Sequence, residues 1–353
     1  MDEHTNDPPP PEPSGERHAA RGVGARLVRP PYRNALVLLA IAIPLAALFV
    51  ASYSVVLGRP MPRDIPAGIV GDARAQPEAV SQLESATGGA LAFRTFDSVS
   101  AVRSALGDQS IYAALVLTPG HSQLLLSGAS GVSVSRVLQQ AADQVSRRVP
   151  RPLEIIDVHP LPPSDPQGLV SFYVTLGATI LGFLSMFQLR AHAAQLSLRE
   201  WLAFLVVLAV LGGLALAVVI GPLLGALPAP FAEVWLAASL EIAASALFTS
   251  AMLVLFGTLA IIPTWVLFIV MGNTSSGGAV AIPLLPGFFA FVGRYLPPGA
   301  TVNILHAASY FPAAQRSEPF LVLAVWILGA AVALRVSARL RRRGPTGQCR
   351  REL

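Results

Sequence analysis

Apolar residues gather into long unbroken runs in this chain, and a block of about 110 mostly polar residues separates the first two runs. Crossing a bilayer takes about 20 apolar residues at a rise of 1.5 Å each. Residues 34–57 meet that length, as do 169–189, 201–224 and 320–340. Residues 231–272 are 42 nearly unbroken apolar positions, too long for one crossing, and Gly257-Thr258 offers a turn that divides them. The pattern therefore predicts six transmembrane helices. The first run is longer than a signal-peptide core and lacks a clear small-residue cleavage site, so an uncleaved anchor is expected.

Within the block 58–168 the periodicity changes to that of a mixed α/β domain. Residues 67–70 and 90–93 read as short strands, and 78–86 and 98–106 as helices. Residues 111–117 and 123–126, divided by Pro119-Gly120, read as a hairpin. Residues 132–149 place Val134, Val137, Leu138, Ala141, Ala142 and Val145 at helical spacing, which predicts an amphipathic helix. The Pro-rich stretch 150–166 reads as the return to the membrane. The expected fold class is an α-helical polytopic membrane protein of six transmembrane helices. An exterior mixed α/β domain lies between the first and second.

Composition agrees with this layout. The chain is 53% hydrophobic and only 13% charged, against roughly 25% charged in soluble domains, and its mean hydropathy is +0.59. A pI near 10.0 would suit a nucleic-acid binder, but the arginines collect beside the apolar runs, so no nucleic-acid partner is expected. Arg17, Arg21, Arg26, Arg29 and Arg33 precede the first run, and Arg335, Arg339 and Arg341 to Arg343 close the last. With six spans, the segment 1–33, the link 190–199 and the basic tail 341–353 share one side, which the positive-inside rule makes cytoplasmic. Five spans would place that tail outside. All 25 basic residues are arginine, and Ala, Gly, Pro and Val abound. This suggests a GC-rich bacterial genome and a plasma-membrane location with both termini cytoplasmic. Residues 1–13 are rich in Asp, Glu and Pro and read as disordered. Cys349 is the sole cysteine, so neither an intrachain disulfide nor cysteine-based redox or zinc chemistry is available. The block 58–168 carries nine arginines and ten acidic residues, so it has no strong field for steering a charged ligand.

Few residues point to chemistry. Ser127-Gly-Ala-Ser-Gly131 lacks the Gly-Lys-Ser/Thr ending of a phosphate loop and reads as a glycine-bearing loop before a helix. No nucleophile triad, carboxylate pair or metal set stands out, so no catalytic residue, metal or cofactor is expected and the chain is not read as an enzyme. Glu241 is the one charge deep within a span, where ionisable groups are costly and face a cavity or a partner. It reads equally as a proton-relay or substrate-contact residue and as a packing residue bonded to Ser239, Ser245 or another span. Glu233 reads as solvated, His306 as a surface residue, and Trp201 and Trp235 as interface anchors. Gly177, Gly182, Gly212 and Gly213 suit close helix packing or dimerisation.

The sequence Asn273-Thr-Ser-Ser-Gly-Gly278 follows the long apolar run directly, and Pro283, Pro286, Gly287, Phe288 and Phe289 come after it. Backbone at membrane depth is tolerated outside a helix only against protein or a wet cavity. Residues 273–296 therefore read as a re-entrant or interfacial hairpin on the outer side, with Arg294 near water; an ordinary exterior loop is the alternative. On this segment and on Pro297-Pro-Gly-Ala-Thr301, the chain is similar to type-2 ABC exporter permeases, nearest their phage-infection-protein-like branch. In topology the resemblance covers residues 34–340. It implies a homodimer or heterodimer of permeases and a separate ATP-binding subunit docked at cytoplasmic loops. It also implies that Asn273, Ser275, Ser276, Gly277 and Gly278 shape the hairpin. The docking link would carry Arg190, His192 and Arg199 and is about ten residues long. The function expected is a permease subunit exporting a hydrophobic or amphipathic substrate (lipid, peptide or drug-like), energised by a separate ATPase. The alternatives are an exterior-facing receptor or envelope scaffold without transport, and a proton-coupled transporter using Glu241.

Overall fold

The computed structural model describes residues 30–58, 60–71, 77–118, 121–147 and 153–343. The expectations for residues 1–29, for the Pro119-Gly120 turn and for the tail beyond residue 343, Cys349 included, lie outside the described residues. The chain divides into two compact units, residues 1–48 and Phe49–Leu353. The described part of the first is the apolar start of helix α1, Pro30–Val56, with Pro44 in its interior. All later elements belong to the second unit.

The polar block forms a five-stranded sheet. In chain order its elements are β1 (Ile65–Val70), α2 (Pro77–Ala86), β2 (Leu91–Phe96), α3 (Val99–Gly107), β3 (Ala113–Thr118), β4 (His121–Leu126), α4 (Val132–Ser146) and β5 (Glu154–Asp157). The strand order is β2-β1-β3-β4-β5, with only β3 and β4 antiparallel. Side chains alternate across a strand. Leu115, Leu117, Leu124 and Leu126 therefore point to one face, where Leu83 of α2 and Leu138 of α4 cover them. Ala114, Val116 and Leu125 point to the other, where Val102 and Leu106 of α3 lie. Because β3 is covered on both faces, it reads as a continuous apolar run rather than an alternating one.

The Pro-rich stretch 150–166 is more than a return to the membrane, because β5 lies within it and pairs parallel with β4, Leu124 opposite Ile155. Two isoleucines between Glu154 and Asp157 are too short a signal to register as a strand. The core under α2 and α4 is also completed from far along the chain: Val280, Ala281, Leu284 and Leu285 are buried in it. Backbone bonds fix that union. The Met61 N–H donates to the Leu284 carbonyl at 2.9 Å, and the Arg63 N–H to that of Pro283 at 3.0 Å.

The apolar half contains α5 (Val170–His192), α6 (Leu198–Val218), α7 (Phe231–Phe256), α8 (Ile261–Thr264), α9 (Gly287–Val292), α10 (Pro297–Tyr310) and α11 (Glu318–Arg343). Among the described residues, five helices are long and apolar enough to cross a membrane when Phe231–Asn273 is taken as one. That stretch breaks where the sequence offers a turn: Gly257 adopts φ +60 after α7, a backbone conformation that suits glycine. The chain then doubles back, bringing the rings of Phe248 and Phe268 within 5.5 Å. The returning arm is α8 followed by π-helical Trp265–Asn273. At 1.5 Å per residue it reaches about 20 Å, short of a roughly 30 Å hydrocarbon core.

Helix α7 packs against α5, α6, α10 and α11. Two of the predicted small residues permit this. A Cβ on Gly182 of α5 would lie 1.9 Å from Ser245 Oγ, and one on Gly213 of α6 would lie 2.1 Å from Ser239 Oγ. Close backbone approach at small residues is the usual means of packing helices without a hydrophobic driving force.

Candidate functional site

Glu241 lies about 15 Å along α7 from its start, near the middle of the helix. It is fully buried. Its carboxylate accepts hydrogen bonds from Thr179 Oγ1 of α5 at 2.6 Å and Thr301 Oγ1 of α10 at 2.8 Å. A carboxylate in such surroundings costs about 3 kcal/mol, and two hydroxyl donors offset part of that. Of the partners expected from sequence, another span supplies one. Ser239 and Ser245 are not among those bonded: Ser245 donates to the Ile242 carbonyl instead, and Ser239 Oγ has no partner among the described residues.

Helix α10 also borders a cavity of about 370 Å³, which Asn303 and His306 help line. Gln109 and Tyr112 of the sheet domain form another wall, and Ser275, Ser276 and Gly277 a third. Arg294, Arg316 and Glu318 bring charge to it. An adjoining cavity of about 300 Å³ shares Gln109, Tyr112, Arg294, Asn303 and Arg316 and adds Asp108. Burial pushes the Tyr112 hydroxyl up to about 12, while the nearby Arg294 guanidinium pulls it the other way. Among the described residues, neither Arg294 nor Arg316 has an ion-pair or hydrogen-bond partner.

His306 is not at the surface, because the sheet domain covers it. Its Nε2 lies 2.7 Å from the Ala129 carbonyl, which can only accept, so Nε2 carries the hydrogen. Nδ1 then accepts from Gln109 Nε2 at 3.2 Å. Burial holds this imidazole below its ordinary range, against the Ala129 carbonyl and the Asp165 charge, which favour protonation. Asp165 is a second junction. Its carboxylate accepts from the backbone N–H groups of Leu169 at 2.9 Å and Val170 at 3.2 Å, at the start of α5. It also accepts from the Tyr310 hydroxyl at 2.7 Å. Burial first, and then this bond, push the Tyr310 hydroxyl upward.

The residues singled out by sequence separate into three places. Ser275, Ser276 and Gly277 line the large cavity. The two serine hydroxyls are turned back onto the carbonyls of Gly272, at 3.3 Å, and Asn273, at 2.8 Å. Gly277 adopts φ +81, and a Cβ on Gly278 would lie 2.9 Å from Phe172 of α5, so the pair turns the chain where space is least. Asn273 is buried, and both its side-chain amide atoms lack a partner among the described residues. Glu241 is reached through Thr301 and does not line the cavity. Arg190, His192 and Arg199 are exposed. Arg190 lies about 27 Å along α5 from Phe172. The link between α5 and α6 is a tight turn, closed by a capping box in which Ser197 and Glu200 satisfy each other's backbone N–H.

Ser127–Gly131 forms a short turn before α4. Its Gly128 N–H is already donated to Asp157 at 3.0 Å, which leaves that group unavailable to a phosphate. Glu233 is half-buried, and Trp201 and Trp235 donate their indole N–H groups to Ser250 Oγ and the Val210 carbonyl. Sequence reasoning missed Gln109, Tyr112, Asn303, Arg316 and Glu318 as cavity residues. One signal was present: Arg294 and Arg316 are the only charged residues between Glu241 and Glu318. No protein-family model, curated protein or solved structure matches this chain.

Proposed function

We propose that this chain is the membrane subunit of an export system for a hydrophobic or amphipathic substrate, energised by a separate ATP-binding subunit. The observation that carries this reading is the polar cavity of about 370 Å³ walled jointly by the sheet domain, the 273–296 segment and the start of α11. A concave polar site beside a span can hold the polar part of an amphiphile while its apolar part stays in lipid. The resemblance of residues 273–301 to type-2 ABC exporter permeases supports the same reading. On it, α7 and the returning arm act as two of six spans, and 273–296 is a re-entrant hairpin at the outer face that makes up the depth the arm alone does not reach. The sheet domain is exterior, and the arginine-rich ends and the Arg190, His192 and Arg199 turn are cytoplasmic. The permease works as a dimer, and its ATPase docks at that turn.

Topology is tested in a Cys349→Ser background. Ser317→Cys is expected to react with an impermeant thiol reagent in intact cells, and Ser197→Cys only after lysis; the reverse pattern sinks the arrangement. Coupling is tested by co-purification of an ATPase that is lost when Arg190 and Arg199 are both changed to Glu. Persistent failure to retain an ATPase or move any substrate, with a protein partner held by the sheet domain, would favour the scaffold reading. Glu241, bonded to two other helices, favours a second reading as a proton-coupled transporter. Substrate accumulation unchanged by Glu241→Gln counts against it.

A further inference from the structure

The polar cavity does not end at the sheet domain's edge. Glu318, Pro319 and Val322 of α11 line it, and one turn further Val325, Trp326, Gly329 and Ala333 line a separate groove of about 300 Å³. These positions recur every three or four residues, so they occupy one face of one helix. That face runs about 22 Å from Glu318 to Ala333. The opposite wall of the groove is Phe248, Ala251 and Met252 of α7, so its lining is entirely apolar apart from one indole N–H. That N–H is turned away: Trp326 Nε1 donates to the Tyr295 carbonyl at 2.7 Å, next to Arg294. The Trp326 ring packs on Phe248 and Phe268, with centroids 6.0 and 6.3 Å away. A Cβ on Gly329 would meet nothing within 4 Å, so the groove is open at its middle.

We infer that this face of α11 binds a phospholipid lengthwise, with its phosphate headgroup in the cavity between Arg294 and Arg316 and an acyl chain in the groove between α7 and α11. This rests on the reading of the chain as a membrane export subunit and names its substrate class. Two arginines without partners among the described residues suit a phosphate, which the planar guanidinium binds through paired N–H groups. The acidic Glu318 and Asp108 border the same space, which leaves room for an amine beside the phosphate. A water-soluble phosphate would use the cavity alone and gain nothing from an apolar groove continuing along the same helix face. A lipid uses both.

The test is native mass spectrometry of the detergent-purified full chain after incubation with phosphatidylglycerol, phosphatidylethanolamine or diacylglycerol. Both phospholipids are expected to be retained and diacylglycerol lost. The double change Arg294→Gln with Arg316→Gln, and separately Gly329→Trp, should each reduce retention by about tenfold or more, roughly one decade in affinity. Both arginines are exposed, and thermal unfolding of each variant checks that the fold is kept. Equal retention of diacylglycerol and phospholipid, or retention unchanged in either variant, overturns the proposal. Displacement by glycerol phosphate as effective as that by phospholipid also overturns it, in favour of a soluble phosphate ligand. A dimer broken by Gly329→Trp with no lipid retained by the unsubstituted chain overturns it in favour of a second copy on the groove. Binding is read here without transport, so loss of ATPase coupling in cells would leave it standing. Export of an amphipathic peptide with no lipid retained would sink this inference alone.

Discussion

At the scale of single residues, Glu241 and His306 are both titratable groups held by specific partners, Glu241 fully buried and His306 half-buried at the cavity wall. Glu241 is bonded to Thr179 and Thr301. Glu241→Ala removes the acceptor of two buried hydroxyls and leaves a void, so a loss of about 2–4 kcal/mol is expected. Glu241→Gln keeps the volume and an acceptor and should cost under about 1 kcal/mol. Chemical unfolding in detergent separates the two. For His306 the sign follows from its lowered value. The unfolded imidazole titrates near 6.5, and the buried one binds its proton less readily. Between the two values the unfolded form holds more protons, so docking is fully stable above about 6.5 and weakens as pH falls below it. The groups facing this imidazole are Asp165 and Tyr310 nearby and Arg294, Arg316 and Glu318 across the cavity. Hydrogen-exchange protection at residues 128–131, corrected for the intrinsic pH dependence of amide exchange, should therefore fall on acidification, and His306→Gln should flatten that dependence.

Among elements, α10 is the connector. Through Thr301 it touches Glu241 of α7, and through His306 and Tyr310 it holds the sheet domain and the start of α5. Asp165 closes this junction by capping α5 and binding Tyr310 at once. Asp165→Ala should cost about 2–3 kcal/mol, more than a simple cap, because the half-buried Tyr310 hydroxyl also loses its acceptor. Thermal unfolding reads the loss, and Tyr310→Phe in the same background should recover part of it. Elements also mark where sequence reading held. The break at Gly257 and helices α2, α3 and α4 follow from local periodicity and a local turn. The number of spans does not follow from such local signals: among the described residues five helices are long and apolar enough to cross, with Phe231–Asn273 taken as one.

For the whole molecule, the core of the sheet domain is completed by residues from outside it. Leu284 and Leu285 are almost completely buried in its core, though they follow the apolar run. Removing two buried leucines uncovers about 3–6 kcal/mol, much of the 5–15 kcal/mol that holds a typical domain. Residues 60–168 expressed alone should show no cooperative melting by circular dichroism, and fusing residues 280–285 to them through a linker should restore it. A fragment that melts cooperatively on its own would refute the dependence. Local physics was enough to read the apolar runs, the helical periodicities and the isolated Glu241 from the sequence, because each depends on neighbours within a few turns. Tertiary structure alone decided that Gln109 meets His306 across 197 residues, that β5 joins the sheet, and that Arg294, Arg316 and Tyr112 share one cavity. Those contacts depend on which surfaces fit once the chain has returned on itself, and no pattern along a single sequence displays that complementarity.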